Sequence, residues 1–267
     1  MLPISIAYGR RVISLELEIV VMGFLVGGLV GLTGVGGAAL LTPVLMLIGI
    51  SPSVAVATDL FYNSVTKLFG SIQHIRQRTI DLTLTKYLAI GSVPSAIGAV
   101  LLVQAYPPLA AHQDAIMKHA LGVVLIIVAL ATIVKQFFTK LGSNRWQDMP
   151  TESKKGLTIA VGAALGFVVG LTSIGSGSLF ALAMIYLYRL KAAQLVGTDI
   201  LHAFLLVTAA GSIHAIYGNI DYLLAANLLV GSVPGVVLGS RLSAKVPGRP
   251  LRTVMATLIL ISGLKLL

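Results

Sequence analysis

Asp59 and Lys67 stand inside a stretch, residues 52–75, that is otherwise rich in apolar side chains. In a membrane span an ionisable group costs roughly 2.5–3.5 kcal/mol on insertion scales, so it faces a cavity or a partner. At about 100° per residue the two lie about 80° apart on a helical wheel, with Asn63 on the same side. Thr58 and Thr66 extend this polar stripe. Two chemistries fit it. One is a structural Asp59–Lys67 ion pair across a helix bundle. In the other, Lys67 attracts an anion while Asp59 orients a neighbouring segment or carries a proton. A second stretch, 191–214, contains Thr198, Asp199 and His202. Asp199 and His202 are spaced i, i+3 and share a helix face. Histidine changes charge near neutral pH, so the pair suits proton coupling or gating, or a plain packing hydrogen bond. His74 and His214 fall near helix ends, where aqueous exposure costs little.

Two glycine-rich breaks interrupt apolar segments elsewhere: Gly31-Leu-Thr-Gly-Val-Gly-Gly37 and Gly170-Leu-Thr-Ser-Ile-Gly-Ser-Gly177. Glycine, Ser and Thr favour turns over helix interiors. A helix restarting after such a turn presents N–H groups and a partial positive charge, which suits an anion. The candidate binding set is therefore Thr33, Gly34, Gly36 and Gly37 at the first break. At the second it is Thr172, Ser173, Gly175, Ser176 and Ser178, with Thr58, Lys67 and Thr198 added from the polar helices. Asp59, Asn63, Asp199 and His202 are the candidates for coupling or gating. The competing reading, close packing of small residues between membrane helices, accounts well for Gly23, Gly27, Gly28, Gly162 and Gly166.

The elements that hold these residues follow from composition and length. The 267 residues are 57% hydrophobic and 10% charged, with mean hydropathy +0.96. Soluble domains carry about 25% charged residues. Several apolar runs reach the length of a membrane helix. The fold class is an all-α polytopic membrane protein of about 8–10 helical segments. The first half, 1–138, reads as a hairpin over 14–50 and helices at 52–75, 87–105 and 117–138. A basic linker, 139–155, follows. The second half, 156–267, reads as a hairpin over 156–189 and helices at 191–214, 222–243 and 250–266.

The halves repeat. Gly31-Leu-Thr33 matches Gly170-Leu-Thr172, and Thr58-Asp59 matches Thr198-Asp199. His74 matches His214, Ile80-Asp81 matches Ile220-Asp221, and Gly91-Ser-Val-Pro94 matches Gly231-Ser-Val-Pro234, all at a nearly constant offset. Internal repeats of this kind characterise secondary transporters. Residues 15–50 as one helix would be about 54 Å long against a hydrocarbon core of about 30 Å, so the chain must fold back at the glycines. Each half is then a hairpin, re-entrant or crossing twice, plus three spans, and the two halves are inverted. That arrangement puts most of the 19 Lys and Arg residues on the inner side, as the positive-inside rule requires. It makes the linker cytoplasmic and sets both termini outside a plasma (inner) membrane. The N-terminus lacks the pattern of a cleaved signal peptide.

Net charge +10 is read as positive-inside loops, with the bilayer as partner and no nucleic acid. The absence of cysteine excludes disulfides and thiol chemistry. No Walker loop, metal-ligand spacing or nucleophile–base constellation occurs, so neither ATP drive, metal, cofactor nor enzyme activity is expected. Gly91-Ser-Val-Pro94 and its copy are read as kinks or packing devices. The lone Trp146 supports nothing specific.

Gly-Leu-Thr-Gly-Val-Gly-Gly, then Pro-Val-Leu-Met-Leu-Ile-Gly-Ile, then Ala-Val-Ala-Thr-Asp-Leu resembles the TauE/SafE family of sulfite and organosulfur-anion exporters. The later Gly-Ser-Ile-Gln-His, Ile-Asp and Gly-Ser-Val-Pro are similar to the same family, and the resemblance spans about residues 15–265. It implies a secondary transporter with twin repeats that exports sulfite, sulfoacetate, thiosulfate or a related anion, driven by protons or membrane potential. The chain departs from the family pattern in its interrupted first glycine run and in Ser173 and Ser176, which stand in place of glycines. A static anion or proton channel is the alternative, and a homodimer is compatible with either.

Overall fold

A computed structural model of the chain describes residues 16–33, 38–137, 145–243 and 248–267. Among them all regular structure is helical. The first half contains α1 (Leu17–Thr33), α2 (Ala38–Leu47), α3 (Pro52–Arg76), α4 (Leu82–Ala105), the single turn α5 (Pro107–Ala110) and α6 (Gln113–Phe137). The second contains the short α7 (Arg145–Asp148), a 3-10 turn (Glu152–Lys154), α8 (Lys155–Thr172), α9 (Leu179–Leu187), α10 (Ala192–Ile216), α11 (Tyr222–Ser243) and α12 (Gly248–Leu266). Among the described residues five helices are long and apolar enough to cross a bilayer, namely those beginning at Leu82, Gln113, Glu152, Ala192 and Tyr222. α3 is as long as these, with 25 residues, but its polar stripe lowers its hydropathy.

The repeat is visible in the backbone. α3 and α10 end in the same turn: Arg78 (φ 55°) and Gly218 (φ 72°) both adopt the left-handed conformation. Thr79 N–H then reaches back to the His74 carbonyl at 3.2 Å, and Asn219 N–H to that of His214 at 3.1 Å. The next helix starts the same way in both halves. The Asp81 carboxylate accepts from Leu84 N–H, and that of Asp221 from Leu224 N–H, each at 2.9 Å. This cap, which satisfies an orphan N–H of the first turn, starts α4 at Leu82, earlier than hydropathy places it.

The halves interlock. α1 packs on α11 and α8 on α4, each pair exchanging a first helix for the other half's fourth, while α3 packs on α10 and α6 on α12. Both exchanged pairs are in backbone contact. A Cβ on Gly23 would sit 2.6 Å from the Leu228 carbonyl, and one on Gly27 2.5 Å from that of Ser232. In the other pair Gly162 meets the Leu88 carbonyl and Gly170 that of Ala96, both at 2.6 Å, with Gly166 on Ser92 between them. Residue numbers rise together along both pairs, so each is parallel. α3 and α10 are antiparallel, since Gly70 meets Ile200 while Gly211 meets Leu60. The Gly91 and Gly231 of the two Gly-Ser-Val-Pro motifs belong to these seams, against Ile159 and Val20.

Candidate functional site at the second helix break

α8 stops at Thr172 because the chain turns left-handed twice, at Ser173 (φ 60°) and at Gly175 (φ 109°). Ser173 N–H still reaches the Val169 carbonyl at 2.8 Å. The Gly175 carbonyl then accepts from Leu179 N–H at 3.1 Å and Phe180 N–H at 3.3 Å, which founds α9. Gly175 tolerates a left-handed φ without a Cβ penalty, whereas Ser173 carries that cost and so must be held by its surroundings. The Thr172 hydroxyl turns into its own helix, donating to the Val168 carbonyl at 2.7 Å. Ser178, half-buried, precedes α9 without a side-chain cap.

What holds Ser173 is Asp59. Its carboxylate, fully buried, accepts from Ser173 Oγ at 2.6 Å and Thr42 Oγ1 at 2.9 Å, both on Oδ2. Asn63 Nδ2 donates to Oδ1 at 2.8 Å. Asp59 therefore ties α3 to α2 of the first hairpin and to the tip of the second. Three donors satisfy an ionised carboxylate, which is acceptor-only.

One turn beyond Asn63, Lys67 Nζ donates to the Ser176 carbonyl at 3.0 Å and lies 3.4 Å from Ser176 Oγ. An ammonium has three N–H bonds, and Ser176 takes at most two. Lys67 interacts electrostatically with both Asp199 and Asp59, yet among the described residues neither carboxylate pairs with it within 4 Å. Asp199 is 8% exposed, and its Oδ1 is buried without a hydrogen-bond partner. His202, fully buried, bonds through Nε2 to Ser92 Oγ at 2.8 Å and lies tilted on Phe180, with ring centroids 4.3 Å apart. The pseudo-equivalent Tyr62 interacts with Ser232, so the serine of each Gly-Ser-Val-Pro motif contacts the same position of the other half's polar helix.

The second break thus gathers Ser173, Gly175, Ser176, Asp59, Asn63 and Lys67. Thr58 and Thr198 lie elsewhere, stitching the halves. Thr198 Oγ1 accepts from Asp81 N–H at 2.9 Å, and Thr58 Oγ1 from Asp221 N–H at 3.1 Å. Gly34, Gly36, Gly37 and the Thr33 side chain lie outside the described residues. His214 lies in the last turn of α10, near a helix end as read from sequence, and is fully buried there. The sequence reading gives no site role to Thr42 or Tyr62, and takes Ser92 only as part of the Gly91-Ser-Val-Pro94 packing motif. Thr42 had a usable signal: it is a polar residue in an apolar arm, ahead of Pro43.

The C-terminal end of α9 is latched to the linker. Lys154 is buried, bonding the Leu187 carbonyl at 2.8 Å and that of Trp146 at 2.6 Å, and it lies over the Tyr188 ring at 4.1 Å. Gln147 Nε2 donates to the Ile185 carbonyl at 2.9 Å, and Arg189 pairs with Asp148 at 2.9 Å. Lys154 is thus a buried helix cap as well as a linker charge.

One helix, α3, thus carries both a buried carboxylate with three donors and an ammonium bonded to the Ser176 carbonyl of the second break. The family model described as "Sulfite exporter TauE/SafE" matches residues 19–266. The chain belongs to this family. It is 61% identical over 254 residues to the probable membrane transporter protein YjnA of Bacillus subtilis, covering 95% of this chain and all of that one. It is 26% identical to the probable membrane transporter protein MJ0441 of Methanocaldococcus jannaschii, over 96% of this chain and 99% of that one. With the probable membrane transporter protein YfcA of Escherichia coli K12 the identity is 29%, over 87% and 82% of the two chains. No solved structure matches. A multi-pass membrane transporter of the TauE/SafE family is therefore what the fold serves.

Proposed function

We propose that this transporter is a secondary carrier of a small sulfur-containing anion: sulfite, thiosulfate, sulfoacetate or a related organosulfonate. In this reading it is an exporter in the plasma (inner) membrane, driven by protons or membrane potential, and not an enzyme. The observation that carries the reading is Lys67, an ammonium within a membrane helix that touches the second break at Ser176. Such a cation is expensive in a bilayer and marks a substrate or ion pathway. Broken-helix ends at the midplane are where carriers bind small ions. The family description, sulfite exporter, supports the anion class.

The test is thermal unfolding of the detergent-purified protein with sulfite, sulfate, thiosulfate, sulfoacetate and taurine. A ligand that binds only the folded state adds about 2.7 kcal/mol at a hundred times its Kd. At least one sulfur oxyanion should raise Tm, and Lys67→Gln should abolish that rise. No shift with any of the panel sinks the substrate class, and a full shift in Lys67→Gln sinks the role of Lys67. Counterflow of labelled anion in proteoliposomes is expected of a carrier, and single-channel conductance would make the protein a pore instead.

A further inference from the structure

The polar centre holds two buried carboxylates, Asp59 and Asp199, and one ammonium, Lys67. With both carboxylates ionised this trio is net negative and repels the anion that the proposed function assigns to it. Their surroundings are unequal. Asp59 has a donor on each oxygen, three in all. Asp199 has a buried oxygen with no donor. A carboxylate oxygen left bare in a buried site is penalised far more than a neutral carboxyl. Protonating Asp199 at its bare oxygen breaks no hydrogen bond, whereas protonating Asp59 would break the tie to Thr42, Ser173 or Asn63. We infer that Asp199 is a proton-binding site, holding the proton that accompanies the anion through the transport cycle, with Asp59 remaining ionised. This rests on the anion reading above.

The groups around Asp199 leave it that role. α3 brings Lys67, whose charge acts on Asp199, and His74, whose Nδ1 bonds Thr79 Oγ1 at 2.7 Å where Thr79 meets Gly197; the start of α4 brings Asp81, whose carboxylate already accepts from Leu84 N–H. On α10 itself His202 has Ser92 on one ring nitrogen and nothing on Nδ1. An imidazolium there would bury an N–H without an acceptor, so His202 is neutral. His214, further along α10, has no side-chain carboxylate partner among the described residues. α9 and the last turns of α8 bring only apolar and hydroxyl side chains toward the centre. Protonation removes one negative charge, leaving Lys67 and Asp59 balanced before the anion arrives.

Infrared difference spectroscopy of the purified protein reads Asp199 directly. At neutral pH the wild type should show the carbonyl stretch of a protonated carboxyl, and Asp199→Asn should lose it. Asn is isosteric with the protonated acid, so Asp199→Asn should fold with an unchanged thermal transition. In proteoliposomes the wild type should accumulate thiosulfate when a pH gradient is imposed. Asp199→Asn should accumulate no more thiosulfate with the gradient than without it. The assignment is overturned by a band that survives Asp199→Asn, by a variant that no longer folds, or by one that still responds to the gradient. A wild type that neither binds nor moves thiosulfate or the other panel anions overturns the substrate reading, while the infrared result still decides Asp199.

Discussion

Asp59 does its work through its partners, and removing a partner is therefore worse than it looks. Ser173→Ala deletes a donor at 2.6 Å from a sealed carboxylate, and Thr42→Val deletes another at 2.9 Å. Each leaves a buried charge short of a hydrogen bond, which costs about 1–3 kcal/mol. Both variants should lower the Tm of the detergent-purified protein. The double variant should fall by more or less than the sum, because the two hydroxyls share Oδ2 and lie 2.9 Å apart. Strictly additive losses would mean that the cluster is not one network. Asp59, Asn63 and Lys67 were legible in the sequence because polar groups inside an apolar helix stand out at once. Their partners were not. Thr42 and Ser173 meet Asp59 from segments far away in the chain, and no local pattern encodes that meeting. The ion pair that spacing allowed between Asp59 and Lys67 is replaced by bonds from each to the second break.

At the scale of helices, glycine serves two purposes that a sequence pattern separates only in part. In the seams between α1 and α11 and between α4 and α8 it is absent side-chain volume that matters. Gly166 lies against the Ser92 backbone, where a side chain has no room. Gly166→Leu must push α4 and α8 apart, and should lose the cooperative thermal transition or lower Tm sharply. Gly98, on the same α4, has nothing within 4 Å of where a Cβ would stand. There Gly98→Ala should stabilise by about 0.5–1 kcal/mol through backbone entropy alone. A comparable loss from both substitutions would show that packing in the seam is not the cause. At Gly175 conformation matters instead. The periodic Gly23, Gly27, Gly162 and Gly166 were readable as packing glycines from their spacing, and the clustered ones as breaks. That α1 would pack on the fourth helix of the opposite half was not readable, since hydropathy is blind to partner choice.

The arrangement of the whole chain turns on how its two halves are related. α3 and α10 occupy the same place in each repeat, and they lie side by side and antiparallel. The same exchange recurs in α1 on α11 and α8 on α4. If α3 and α10 both span the bilayer, the axis relating them lies in the membrane plane and the halves are inverted. A repeat with single-crossing hairpins would instead start both halves from the same side and run α3 and α10 parallel, against these contacts. The absence of native cysteine makes the orientation directly measurable. Single cysteines can be placed at the exposed positions Gln77, His112, Lys191, Tyr217 and Leu267 and probed in intact cells with a membrane-impermeant maleimide. The inverted arrangement predicts labelling at His112, Tyr217 and Leu267, and protection at Gln77 and Lys191 until the membrane is permeabilised. The decisive positions are the last three in the chain. Single-crossing hairpins would expose Lys191 and protect Tyr217 and Leu267, while leaving Gln77 and His112 as they are. Were that second pattern found, the two breaks could not enter from opposite faces. The Lys67–Ser176 contact would then belong to one face of the membrane instead of a shared centre, and with it would fall the physical basis for alternating access at this site.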